Sequence, residues 1–241
     1  YTVDIDGDPG QHTISVSIAG DVASDEAGNP NQPTVMPFTY PFDDQAPAPV
    51  VSSTAGAVTN DAPIPFTIDF GEPVYGFWSS RVTIQNGTVQ GFLGSDGDSV
   101  FQVDVLPLGG NPIVVSVEVQ ANKATDLVGN WNTASNTLEV TFDSDDPTVQ
   151  ITSAAGPSGG RTNMGLFPVE VAFSEAVFGF LSEDVVIVNG ALNGFTPAGD
   201  DMHWAFDVVP TAEDVVSITI PANAAVDLGG NGNHPGAFSI T

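Results

Sequence analysis

Ala124-Thr125-Asp126-Leu127-Val128-Gly129-Asn130 is spelled a second time as Ala225-Val226-Asp227-Leu228-Gly229-Gly230-Asn231, and an earlier version reads Ala23-Ser24-Asp25-Glu26-Ala27-Gly28-Asn29. The three aspartates, Asp25, Asp126 and Asp227, stand 101 residues apart at both steps. Self-similarity at a fixed spacing means one structural unit copied along the chain. Two further motifs keep the same register. Phe70-Gly71-Glu72-Pro73-Val74-Tyr75-Gly76-Phe77 returns as Phe173-Ser174-Glu175-Ala176-Val177-Phe178-Gly179-Phe180, and Val82-Thr83-Ile84-Gln85-Asn86-Gly87 as Val185-Val186-Ile187-Val188-Asn189-Gly190. Each unit closes on an acidic joint with a proline, Phe42-Asp43-Asp44-Gln45-Ala46-Pro47 and Phe142-Asp143-Ser144-Asp145-Asp146-Pro147.

Residues 44–143 and 144–241 are therefore two full repeats, and residues 1–43 match only the second half of one. Half a unit has no partner for its own inner face, so the missing strands are expected upstream in a longer polypeptide or from another chain. Within the first full repeat the apolar pattern predicts seven strands, near 48–54, 63–70, 80–86, 88–94, 99–106, 113–120 and 136–142. Strict alternation in Phe101-Gln102-Val103-Asp104-Val105 and Val115-Ser116-Val117-Glu118-Val119 is the half-buried antiparallel signature. Asn86-Gly87 and Asn189-Gly190 read as hairpin turns, which need positive φ. Seven short strands in about 100 residues indicate an all-β, immunoglobulin-like sandwich, here in tandem and head to tail. The Cys and Trp hallmarks of antibody domains are absent.

The three motifs in this order resemble the bacterial immunoglobulin-like repeats of large surface adhesins and other secreted multi-repeat proteins. The resemblance covers essentially the whole chain. It implies an extracellular or cell-surface location and a spacer or adhesive role, and names no ligand.

Charge narrows the partners. Thirty acidic residues face only Arg81, Lys123 and Arg161, a formal net charge of −27. A chain so poor in bases has little to offer nucleic-acid phosphates or an anionic membrane. No apolar run reaches the ~18 residues of a membrane span, so the protein is not expected to be membrane-embedded. With no cysteine, neither disulfides nor thiolate metal sites are available. Uncompensated carboxylates repel one another in the compact state unless a cation binds.

Strand direction says where those acids go. Successive strands alternate in direction, so the loop after the second strand, with Glu72, and the loop after the sixth, with Asp126 and Asn130, lie at one end of the sandwich. The incoming joint with Asp43 and Asp44 lies there too. The same reasoning groups Glu175, Asp227 and Asn231 with Asp143, Asp145 and Asp146. Asp, Glu, Asn and carbonyl oxygens form the hard-oxygen set that suits Ca²⁺, so structural calcium is expected at each joint. The competing reading is that the Asp-x-x-Gly-Asn segment is simply a turn, Asp bonding backbone amides and Gly taking positive φ. Asp4-Ile5-Asp6-Gly7-Asp8, Asp96-Gly97-Asp98 and Asp200-Asp201 read as solvated turns.

Catalysis finds no support in the pattern. His12, His203 and His234 occupy unrelated repeat positions, and no nucleophile–base or phosphate-loop motif is present. Tyr75-Gly76-Phe77-Trp78 reads as rings plugging the end of the sandwich, with an exposed sugar-binding patch as the alternative. Three roles follow: a spacer of repeats braced at their joints, a carbohydrate- or protein-binding module, and a filament subunit completed by a neighbouring copy.

Overall fold

Alternation sets the strands in the computed structural model, which describes residues 2–10 and 12–241. In the central strand of the first full repeat, Phe101, Val103 and Val105 are fully buried while Gln102 and Asp104 face solvent. Each buried large side chain of this kind contributes about 1.5–3 kcal/mol relative to exposure. Residues that alternate in this way must pack against a second layer, and they do.

The half unit contributes β1 (His12–Val16) and β2 (Phe38–Phe42), paired antiparallel with His12 opposite Phe42. The first full repeat holds β3 (Val50–Ser53), β4 (Val58–Thr59), β5 (Ile64–Asp69), β6 (Thr83–Gln85), β7 (Gly87–Leu93), β8 (Val100–Pro107), β9 (Ile113–Glu118) and β10 (Leu138–Phe142). Its two sheets run β3-β5-β8-β7 and β4-β10-β9-β6. The second full repeat holds β11 (Val149–Ser153), β12 (Phe167–Phe173), β13 (Val186–Val188), β14 (Gly190–Pro197), β15 (His203–Pro210), β16 (Val216–Ile220) and β17 (Gly236–Ile240). Its sheets run β11-β12-β15-β14 and β13-β16-β17. Each sandwich closes over its own core, one centred on Phe66, Phe70, Phe101 and Val117, the other on Phe167, Val169, Phe206 and Ile218.

Two features depart from the sequence expectation. The first strand of a repeat divides between the sheets: β3 pairs antiparallel with β5, then β4 pairs parallel with β10. In the second full repeat a parallel bridge between Gly160 and Ile240 takes the place of β4. The Asn-Gly pairs, read as hairpin turns, are corners between sheets. Asn86 has φ of 56°, but β6 before it pairs with β9 and β7 after it pairs with β8. The type I′ hairpin that Asn-Gly favours needs positive φ at both central residues, and here only the Asn has it. Gly87 serves another purpose, since a Cβ there would lie 2.6 Å from Val105 Cγ1. Asn189 and Gly190 repeat the arrangement, with φ of 59° and Val208 Cγ1 at 2.9 Å.

Of the rings around the Gly-Phe pairs, Phe77 and Phe180 plug the sandwich end, while Trp78 and Phe178 are about half exposed. Phe77 sits 4.9 Å from Phe70 and 5.0 Å from Phe101, edge-on to both, and Phe180 likewise meets Phe173 and Trp204. Among the described residues the β1–β2 pair has no second layer. Val35, Met36, Phe38 and Tyr40 are exposed, as expected for a two-strand sheet without a partner face. Among the described residues, no helix is long and apolar enough to cross a membrane.

Candidate functional site

The Asp-x-x-Gly-Asn segment is first of all a turn. Asp126 Oδ1 accepts the backbone N–H groups of Val128, Gly129 and Asn130 at 2.7–2.9 Å, and its Oδ2 accepts Asn130 Nδ2 at 2.8 Å. Gly129 takes φ of 101° and Gly230 φ of 94°, which explains glycine there. Asp227 binds Asn231 through both backbone N–H and Nδ2. In the half unit Asp25 makes the same turn while exposed. The Asn29 side-chain bond, backed by backbone N–H donors, holds its carboxyl below the ordinary range.

A second asparagine completes the turn, and the sequence reading did not single it out. Asn132, 2% exposed, accepts from Lys123 N and Ala124 N and donates to the carbonyls of Gln120 and Thr133. Asn31 and Asn233 occupy the same position. The signal was available: each stands six residues after the turn aspartate, as Asp25/Asn31, Asp126/Asn132 and Asp227/Asn233.

Around this turn three chain segments meet. Asp43, Glu72 and Asp126 each bring one carboxylate oxygen within 4.8 Å of the other two, and Asp143, Glu175 and Asp227 do the same one repeat later. Topology makes the meeting: Asp43 and Asp143 leave β2 and β10, Glu72 and Glu175 follow β5 and β12, and Asp126 and Asp227 follow β9 and β16. In each group the turn aspartate is buried and the other two are partly exposed. The incoming linker is fixed beside them. Asp43 Oδ1 accepts Gln45 N and Asp143 Oδ1 accepts Asp145 N, while Pro47 O and Pro147 O accept the N–H groups of Thr133 and His234.

Oxygens bound to one Ca²⁺ at about 2.3–2.6 Å lie at most about 5 Å apart, so either trio fits one ion. Glu175 registers the crowding. Burial first, then the charges of Asp227, Asp143 and Asp145, push its carboxyl above the ordinary range.

The remaining candidates divide. Asn130 and Asn231 border the clusters but present N–H to them, donating Nδ2 to the linker carbonyls of Asp43 and Asp143. To ligate a cation, either amide would have to turn over. At Asn231 that would set its NH₂ against the NH₂ of Asn60, which now donates to Asn231 Oδ1. Asp44 is exposed and accepts Gly10 N. Asp145 and Asp146 are exposed; Asp145 adds its charge near Glu175, and Asp146 faces His234 at 3.8 Å. Thus three carboxylates gather at each joint, and the outer aspartates contribute field more than contact.

Other features resolve into local structure. Asp98 accepts Ser95 N, and Asp200 accepts Met202 N and His203 N, all turn bonds, whereas Asp96 reaches across to the loop after β5 and accepts Gly76 N at 2.7 Å. The His203 hydrogen bond, aided by those backbone donors, holds the Asp200 carboxyl below the ordinary range. Trp78 is half exposed with the Arg81 guanidinium stacked 4.3 Å from its ring centre, and Trp131 is half exposed as well. A groove of ≈ 480 Å³ at the first joint is lined by His12, Pro41, Asp43, Glu72, Tyr75 and Asp126, among others.

The profile of the family described as bacterial Ig-like domain matches residues 43–142 and again residues 143–240. No curated protein matches the chain significantly. Among solved structures, InvD of Yersinia pseudotuberculosis is similar over 80% of this chain and 56% of its own, at 12% identity and a TM-score of 0.34. The N-terminal part of the bacterial S-layer protein SbsC is similar over 80% of this chain and 44% of its own, at 14% identity and a TM-score of 0.29. The chain spans about half the length of each.

Proposed function

We propose that this chain, which belongs to the bacterial Ig-like domain family, is a spacer segment of an extracellular surface protein, its joints stiffened by calcium. One observation carries the reading: at both joints three carboxylates from three chain segments converge within 4.8 Å, one of them buried. Two of the three come from one repeat and the third from the linker into it. An ion held by all three ties the linker to the sandwich. Three like charges splay that joint when nothing neutralises them; a divalent cation leaves one net charge and cross-links the segments. The protein's own groups add the Asn braces and the linker turn. The role is mechanical and spatial rather than catalytic.

Calcium titration by calorimetry, paired with small-angle scattering, tests this. Two sites per chain and a longer, narrower distance distribution in calcium than in chelator are expected. Identical scattering in both, with no heat of binding, removes calcium from the proposal.

A second reading rests on the exposed apolar residues of the β1–β2 pair. A neighbouring copy that completes this half unit would build a filament. Sedimentation at rising concentration that stays monomeric excludes it.

A further inference from the structure

The two full repeats touch through a residue that none of the three motifs includes. Asn60, immediately after β4, donates its backbone N–H to Gly229 O at 3.1 Å and its Nδ2 to Asn231 Oδ1 at 3.0 Å. Both acceptors belong to the Asp-x-x-Gly-Asn turn of the following repeat. The preceding residue, Thr59, accepts Asp143 N through its carbonyl at 2.9 Å and so holds the linker. One dipeptide therefore grips both the linker and the turn it leads to.

The dipeptide is itself repeated. Thr141 N donates to Ala57 O and Thr241 N donates to Gly160 O, which sets Gly160 in the place of Ala57 and Thr162-Asn163 in the place of Thr59-Asn60. Its local geometry is the same. Thr59 Oγ1 accepts Asp61 N at 3.1 Å and Thr162 Oγ1 accepts Met164 N at 3.2 Å, so both asparagines leave the strand through one type of turn. Asn163 is exposed, and beside it opens a groove of ≈ 520 Å³ lined by Thr162, Met164, Asp214 and Thr241, among others.

We propose that the Thr-Asn pair ending the divided first strand is the repeat's docking contact for the Asp-x-x-Gly-Asn turn of a following repeat, and that Asn163 presents this contact to a further repeat of the same kind joined head to tail. The occupant is inferred from the joint one unit earlier, where the same surface, through Asn60, is already seated on that turn. The recognition is chemical and specific. Asn231 Nδ2 is committed to Asp227 and Asp143 O, which fixes its amide orientation and turns its Oδ1 outward as the acceptor an incoming Nδ2 requires. An acidic side chain in place of Asn60 would meet an oxygen there. The contact goes beyond the calcium reading and does not depend on it.

The chain has no cysteine, so spin labels on Q102C and E170C report the distance between the full repeats without background. In chelator, Asn60→Ala is expected to broaden that distance distribution by about twofold, because small inter-domain contacts leave motion as the default. Circular dichroism should show both sandwiches intact. For Asn163, a copy of residues 142–241 is appended after Thr241, so that Ile240-Thr241 continues into Phe-Asp as Val140-Thr141 does. Asn163→Ala should loosen the new joint to the same degree and leave the natural joint unchanged. With labels on E170C and its counterpart in the appended copy reading the new joint, an unchanged width there in Asn163→Ala, or at the natural joint in Asn60→Ala, overturns the proposal. Because the readings are taken in chelator, failure here leaves the calcium sites untouched, and failure of calcium binding leaves this contact standing.

Discussion

Replacing Glu175 by Gln removes one charge from the second cluster and keeps the shape of the side chain. Glu175, Asp143 and Asp227 offer oxygens within 4.8 Å of one another. At an effective dielectric near 20, unit charges at that distance repel by about 3 kcal/mol. Glu175 is partly exposed, and solvent screening brings the relief from its neutralisation to about 1 kcal/mol. In chelator the variant should therefore be the more stable protein, and the second full repeat should melt about 4–8 °C higher. In saturating calcium the sign reverses. An ion at one hundred times its Kd contributes about 2.7 kcal/mol, and a tenfold weaker site returns about 1.4 kcal/mol of that. The variant then melts below the parent. The assay is differential scanning calorimetry of both proteins in chelator and in calcium, at matched ionic strength. A rise of equal size in both conditions refutes the bound ion and leaves only repulsion. No change in either refutes the electrostatic coupling itself.

The same substitution has a pH signature. Glu175 titrates above its unfolded range, so the folded state gains from its protonation, and that gain is lost as pH rises through the elevated value. The advantage of Glu175→Gln in chelator should accordingly shrink as pH falls into the carboxylate range, read from melting curves. Phe77→Ala deletes a ring that is 3% exposed and packed on Phe70, Phe92 and Phe101; denaturant titration should show a loss of about 3–5 kcal/mol. Asn132→Ala orphans the Ala124 N–H, which is otherwise buried and bonded, and should cost the first full repeat about 1–3 kcal/mol; a loss under 0.5 kcal/mol in the same titration, the ~0.5 kcal/mol size of an ordinary surface change, would remove its bracing role. Hydrogen exchange should be fastest in β1 and β2, because two strands without a packed face are marginal on their own.

The sandwich was legible because burial is written as alternation. In β8 Phe101, Val103 and Val105 alternate with polar residues and are buried; in β9 Val115 and Val117 are buried too, but Ser116 between them is buried with them, so the alternation there shows only half of the packing. The parallel switch of β4 was not legible, since two residues, Val58 and Thr59, are too few to carry a period. The Asn-Gly corners misled for a related reason. Positive φ at Asn86 announces a bend, but which sheet receives the next strand depends on pairing with β8, some fifteen residues further on. That Asp43, Glu72 and Asp126 lie at one pole follows from counting strand directions, which needs no coordinates. The side-chain bond of Asn60 to Asn231 spans 171 positions and joins different repeats, so no local pattern could show it. Asn132 is within reach of the 101-residue spacing, but it lies two residues beyond the Gly129-Asn130 pair, outside the repeated motif.

The divided first strand has a meaning under tension. In the proposed spacer role, a pull at both ends of the chain draws the first and last strands of each repeat in opposite directions. β4 and β10 run parallel, so the pull lies along both strands and across the bonds between them, Thr141 N to Ala57 O and Asp143 N to Thr59 O. These bonds are sheared together and cannot be peeled one at a time. Thr162 N to Thr241 O and Thr241 N to Gly160 O repeat the geometry at the other end. The short strand that sequence could not show is thus the clasp on which the repeat hangs.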